Sequence, residues 1–189
     1  RREDGSSVVP PALDAVVLNS AGGVTGGDRF ALGMRAEAGA ALRVTTQAAE
    51  RIYRARDAEP PGEMRTALAV APDATLLWLP QETILFDGAA LDRHLDIRMA
   101  ADARLIACET LIFGRAAMGE TVRALRMRDR IDLRRDGRLV FADRLRLDGD
   151  ARAALARAGV AGGAGAMASV LWAAPGVGAR LDALRADLP

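Results

Sequence analysis

Three short stretches of this chain repeat one pattern, Gly/Asp-Ala-x-Leu. They are Gly39-Ala40-Ala41-Leu42, Asp73-Ala74-Thr75-Leu76 and Asp102-Ala103-Arg104-Leu105. Each closes a run in which apolar and polar residues alternate, and each opens a more apolar run. The leucines stand 34 and then 29 residues apart. Alternation with period two marks strands with two different faces. Recurrence at this spacing points to similar β units stacked on one another, each covering the apolar face of its neighbour.

The fold class that follows is mainly β: stacked sheets of repeated β units, β-helix-like, with a small C-terminal α/β section. Strands are predicted at Ala12–Leu18, Arg29–Ala36, Ala41–Thr46, Met64–Val70, Thr75–Leu79, Leu91–Met99, Arg104–Phe113, Glu120–Leu133 and Arg138–Leu147. Asp136-Gly137 is a hairpin turn signal between the last two. The β-rich body spans residues 1–148, and a smaller α/β section spans 149–189 after a Gly/Ala-rich joint. In that section a short helix is expected over Ala151–Ala158 and a flexible joint over Gly159–Gly165. A strand is expected over Ala168–Ala173. Leu181, Leu184 and Leu188 at helical spacing predict a helix over Val177–Leu188. The chain opens on Arg1 and closes on Pro189, and both ends read as incomplete.

The stretch Gly22-Gly23-Val24-Thr25-Gly26-Gly27-Asp28 raises the question of phosphate binding. A phosphate loop needs Lys and Ser/Thr after its last glycine, but Asp28 and Arg29 stand there. A carboxylate at that place repels phosphate, and the dinucleotide spacing of glycines is also absent. Gly22, Gly23, Gly26 and Gly27 therefore read as a tight double turn.

Composition excludes further classes. The chain has 26 basic residues, all arginine, against 25 acidic ones. A net charge of +1 leaves no nucleic-acid footprint and no attraction to an anionic membrane. No apolar run approaches the ~20 residues that span a bilayer. One cysteine, Cys108, cannot form an internal disulfide, and cytoplasmic localisation is expected. One histidine and one cysteine leave no His/Cys metal cage, so no tight metal site is expected. His94 falls among the polar positions of its strand and reads as a surface residue. Without lysine there is no Schiff base.

The acids carry the chemical interest. Glu109 shares a strand face with Leu105, Ala107, Leu111 and Phe113, and the opposite face is nearly as apolar. Gln81 and Glu82 sit inside an apolar segment that ends at Asp87, and Asp143 interrupts the strand after Phe141. A buried carboxylate is costly unless it is paired. Pairing with an arginine is one reading. An internal polar passage or a weak oxygen-ligand cation site is another. A general acid and base on two carboxylates is a third.

Four stretches, taken in order and spacing, resemble one family. They are Gly22–Asp28, Thr45-Thr46-Gln47-Ala48-Ala49-Glu50-Arg51-Ile52-Tyr53-Arg54, the segment from Trp78 through Pro80, Gln81, Glu82 and Asp87 to Gly88, and Leu111 through Gly114 and Arg115 to Glu120. Together they resemble the urease accessory protein family UreD, also called UreH, over about residues 12–147. The family often has lysine where Arg51 stands here. Its N-terminal strands and its tryptophan-containing C-terminal helix are not found in this sequence.

The resemblance implies a non-catalytic maturation factor with a mostly β fold of stacked sheets. It implies binding to apo-urease and to a UreF-like protein, which recruits a UreG-like GTPase. It implies transient nickel, with no tightly bound cofactor, passing through an internal path. Asp28, Glu50, Glu109 and Asp143, then Glu82 and Glu120, are the candidate path residues. Oxygen ligands in small number attract a dication yet release it. Gly22, Gly23, Gly26, Gly27, Gln47, Tyr53, Trp78, Pro80, Gln81, Asp87, Gly114 and Arg115 are expected to shape the fold. The competing reading is a carboxylate-dependent hydrolase or lyase on a β-solenoid.

Overall fold

The computed structural model describes residues 12–187. Its β body is a two-sheet solenoid in which the chain passes back and forth between the sheets. Sheet A holds β1 (Leu13–Val17), β3 (Ala41–Thr46), β4 (Glu50–Ile52), β6 (Thr75–Trp78), β7 (Thr83–Leu85), β9 (Arg104–Phe113) and β12 (Ala166–Ala173). Sheet B holds β2 (Arg29–Ala36), β5 (Gly62–Val70), β8 (Ala89–Met99), β10 (Leu125–Arg135) and β11 (Arg138–Gly149), in the order β11-β10-β8-β5-β2. All pairings are parallel except those of β11 with β10 and β12 with β9.

The recurring motif marks one corner of the coil. Leu42 pairs with Leu76, and Leu76 with Leu105, so the three copies stack in register. Leu76 and Leu105 are buried there, and Leu42 packs against the same core. Gly39 and Asp73 occupy equivalent corner positions with φ of +70° and +53°. That geometry suits Gly39 and Asp73, since Gly and Asp tolerate the left-handed region better than other residues, whereas Asp102 of the third copy does not adopt it.

Sheet A breaks between its short strands. The segments between β3 and β4 and between β6 and β7 interrupt it, whereas β9 runs unbroken and pairs with both β6 and β7. Strands β4 and β7 are additions to the expected set, because three residues carry too little alternation to recognise. The expected start of β10 at Glu120 moves to Leu125, since residues 120–124 form a corner held by hydrogen bonds.

The core between the sheets has two halves. One is built on Val44, Leu68, Leu76, Trp78, Ile97 and Leu105. The other is built on Val24, Ile52, Leu85, Leu91, Leu111 and Met127, and it is covered by Ala151 and Leu155 of α1 (Ala151–Ala156). Asp150 caps α1 by accepting from the Ala153 N–H at 2.9 Å. The glycine-rich joint is a hydrogen-bonded series of turns, with Gly163 N–H donating to Leu155 O at 2.8 Å. The last helix begins as a 3-10 turn at Val177–Arg180 and continues as α2 (Leu181–Asp187). The expected helix end at Leu188 lies outside the described residues, as do residues 1–11 of the β body. No helix among the described residues is long and apolar enough to cross a membrane.

Candidate functional site

A cavity of about 340 Å³ lies between the sheets. Sheet A contributes Thr46, Trp78, Thr83 and Glu109 to its lining, and sheet B contributes Phe30, Met64 and Arg93. Glu50, Pro80 and Gln81 border it where sheet A is interrupted. One end is bounded by the edge strands β1 and β2, whose inward-facing Val17, Phe30 and Leu32 are only half-buried. The other end stops at Glu109 and Arg93.

Those two residues belong to a buried triad. Period-two alternation on β8 places Arg93 on the inward face with Leu91, Leu95 and Ile97. The same alternation on β10 places Asp129 with Met127 and Ile131. Arg93 and Asp129 stand side by side in the parallel register of β8 and β10. Arg93 grips Asp129 with two bonds, Nε to Oδ1 at 2.9 Å and Nη2 to Oδ2 at 2.7 Å. Its remaining nitrogen, Nη1, crosses to sheet A and reaches Glu109 Oε2 at 2.6 Å and Thr83 Oγ1 at 3.2 Å. Trp78 Nε1 donates to the other Glu109 oxygen at 2.5 Å. Burial alone would lower the Arg93 pKa. The charge of Glu109 and the bonds and charge of Asp129 reverse that effect, and the net shift is upward.

Glu50 sits at the near end of the cavity. Asn19 Nδ2 donates to both of its carboxylate oxygens, at 3.0 and 3.1 Å. Of the six candidate acids, then, the structure brings Glu50 and Glu109 to one cavity.

The other four stand elsewhere. Asp28 closes the glycine loop, its Oδ2 accepting from Thr25 N–H at 2.9 Å. Glu82 lies half-buried in the link between β6 and β7, where its backbone carbonyl accepts from Glu50 N–H at 2.9 Å. Asp143 is on edge strand β11, accepting from the Arg144 N–H. Glu120 borders a separate cavity of about 380 Å³ beside Phe113, Val122 and Leu155. Among the described residues, no three His, Cys, Asp or Glu side chains gather as a metal-ligand set.

The family-like stretches converge on the second corner of the coil. Val24 bridges to Ile52, Ile52 pairs with Leu85, and Leu85 pairs with Phe113. Just outside this ladder, Tyr53 meets Phe86 edge to face at 5.1 Å, and Arg115 lies 4.2 Å from the centre of the same ring. The glycine loop packs directly on this stack. A Cβ at Gly23 would lie 2.4 Å from Tyr53 Cε2 and 2.7 Å from the Arg51 carbonyl oxygen. The loop is therefore backbone architecture, and five of its seven N–H groups, those of Gly22, Val24, Thr25, Gly27 and Asp28, have protein partners, as with Val24 N–H on Arg51 O at 2.8 Å.

Asp87 ties this corner to the next coil. It accepts from the Arg123 and Ala124 N–H groups at 2.8 and 2.9 Å and pairs with Arg54 at 2.6 Å. The Ala124 N–H does most to hold its carboxyl below the ordinary range. Burial opposes that shift, while the Arg123 N–H and Arg54 add to it. Glu120 is lowered chiefly by its bond from Arg115, against burial, with further help from the Asp87 and Arg115 N–H groups. Gly114 takes φ of +78° between them. Gln47 is exposed at the end of β3, and its N–H donates to Val17 O.

Arg93 and Asp129 are functional candidates that the sequence reading misses, although a signal is present. In both strands a charged residue occupies the alternation position of the apolar face. Excess arginine hides it, since charged residues fill most of the neighbouring positions. His94 lies on the outer face, as expected, but half-buried, with Nε2 2.9 Å from Asp132 Oδ2.

Comparison with known proteins places the chain in a family. A family model described as UreD urease accessory protein matches residues 3–189. The chain is 51% identical over 183 residues to the urease accessory protein UreD of Ruegeria sp. (strain TM1040), covering 95% of this chain and 61% of that protein. It is 53% identical over 174 residues to UreD of Methylobacterium sp. (strain 4-46), covering 92% and 61%. It is 50% identical over 177 residues to UreD of Rhodopseudomonas palustris (strain BisB18), covering 94% and 63%. The chain thus spans about three fifths of the length of these relatives. With a match running over nearly all of its residues, the chain belongs to the UreD urease accessory protein family.

Proposed function

We propose that the chain serves urease maturation as a non-catalytic scaffold in the cytoplasm. In this reading it binds apo-urease and a UreF-like protein, with a UreG-like GTPase joining through the latter. Nickel crosses the intersheet cavity as cargo. Family membership supports the maturation role, and one observation carries the route: Glu50 and Glu109 border a single cavity between the sheets. Two separated carboxylates suit a dication that must move on, because few oxygen ligands hold it weakly. Both acids have hydrogen-bond donors close by, Asn19 at Glu50 and Trp78 with Arg93 at Glu109.

The hydrolase or lyase reading needs two acids free to act on one substrate. Glu109 is instead committed to Arg93 and Trp78, and nothing in the site favours turnover.

The test is urease activation in cells that co-express apo-urease and the partner proteins. Glu50→Gln and Glu109→Gln keep side-chain shape and remove charge. Each should lower activation about tenfold, equivalent to ~1.4 kcal/mol of lost interaction. Co-purification with apo-urease should persist. Normal activation by both variants would sink the route. Failure of the unaltered chain, in its full-length form, to co-purify with either partner would sink the scaffold role.

A further inference from the structure

We infer that Arg93 is a built-in counter-ion that stands in for the cation at Glu109 and keeps that carboxylate from becoming a trap. This deepens the proposed nickel route and rests on it. Arg93 spans the two sheets, with its backbone in sheet B and one guanidinium nitrogen on a carboxylate of sheet A. The division of its bonds is unequal. Asp129 takes two of them in a bidentate grip, and Glu109 takes one. Releasing Glu109 therefore leaves Arg93 charged, oriented and still neutralised. Once released by Arg93, Glu109 would keep the Trp78 N–H on one oxygen and have the other free.

This arrangement addresses a difficulty of any buried route for a dication. A lone carboxylate in a dry interior costs too much, and a cluster of carboxylates would bind the cation and hold it. An internal guanidinium solves both problems. It compensates Glu109 when the cavity is empty and competes with the cation when one arrives. Asp129 is the resting place that lets Arg93 yield without leaving an unpaired buried charge. Arg93 is a positioning residue in this scheme, since it acts through Glu109.

The test separates this role from simple structural support. In Arg93→Gln/Asp129→Asn the triad keeps its net charge of −1, because one positive and one negative group are removed together. The competition for Glu109 is lost, together with the guanidinium's bonds to Asp129 and Thr83. Titration of the purified variant with Ni2+ alone, by calorimetry, should show at least tenfold tighter binding than the unaltered chain. Adding Glu109→Gln should abolish the gain. In the urease-activation assay the double variant should retain nickel and activate poorly. A folded double variant with unchanged Ni2+ affinity overturns the inference.

Should the double variant fail to fold, Arg93→Lys replaces it. Lysine keeps the charge but cannot fork between two carboxylates, so it holds Glu109 less firmly. A folded Arg93→Lys chain that binds Ni2+ no tighter likewise overturns the inference. The two levels fail differently. Unchanged affinity together with impaired activation by Glu109→Gln removes the counter-ion role and leaves the route. A gain that depends on Glu109, together with normal activation by both Glu50→Gln and Glu109→Gln, removes the route and leaves the counter-ion role.

Discussion

At the scale of one residue, Asp87 ties neighbouring coils together. It receives two backbone N–H groups from the segment before β10 and an arginine from the segment after β4. Its folded pKa lies below the ordinary value of 3.8. A depressed folded pKa gives stability that is complete above the unfolded value and is lost as pH falls through the folded one. Asp87→Asn should therefore lower unfolding stability near neutral pH by about 1.5 kcal/mol, the scale of a hydrogen bond to a charged group. The difference should shrink as the pH falls below about 3.8. Denaturant melts of both proteins across pH 2.5–7 check this, and a gap that stays constant to the acid end would contradict it.

At the scale of elements, the corners decide the fold. The motif copies are legible in the sequence because each must turn the chain and then start a strand at the same height. Their leucines accordingly stack as Leu42, Leu76 and Leu105. Strands β4 and β7 are not legible, since their pairing with neighbouring coils identifies them and their composition does not. The burial of Glu109 can be read from its strand, while its partners lie on other strands at separations no local pattern encodes. The glycine loop carries a prediction at this level. Gly23→Ala would place a methyl group 2.7 Å from a fixed backbone oxygen of Arg51. It should cost about 2–3 kcal/mol through overpacking and loosen the Tyr53 stack. A methyl group at Gly33, on β2, would meet nothing within 4 Å, so Gly33→Ala should be neutral or mildly stabilising. Thermal melts of the pair decide the matter, and equal effects would show that close approach is not what Gly23 provides.

At the scale of the molecule, the two ends of the solenoid differ. The far end is covered by α1, whose Ala151 and Leu155 are buried in the core. Among the described residues, β1 and β2 are the edge strands of the near end, with Leu13, Val16 and Leu18 at 72%, 64% and 63% exposure. On β12, Val170 and Trp172 are exposed as well. Apolar edge strands of this kind invite association with other chains. The chain alone should therefore self-associate at micromolar concentration. Val16→Lys puts a charge on the outward side of β1 without touching the inward residues Ala15 and Val17, which pack on the core. Light scattering should find the variant less associated than the parent at equal concentration, with an unchanged melting transition. Equal association would move the sticky surface away from β1, to the β12 face, where Trp172→Lys would then be the variant that relieves it.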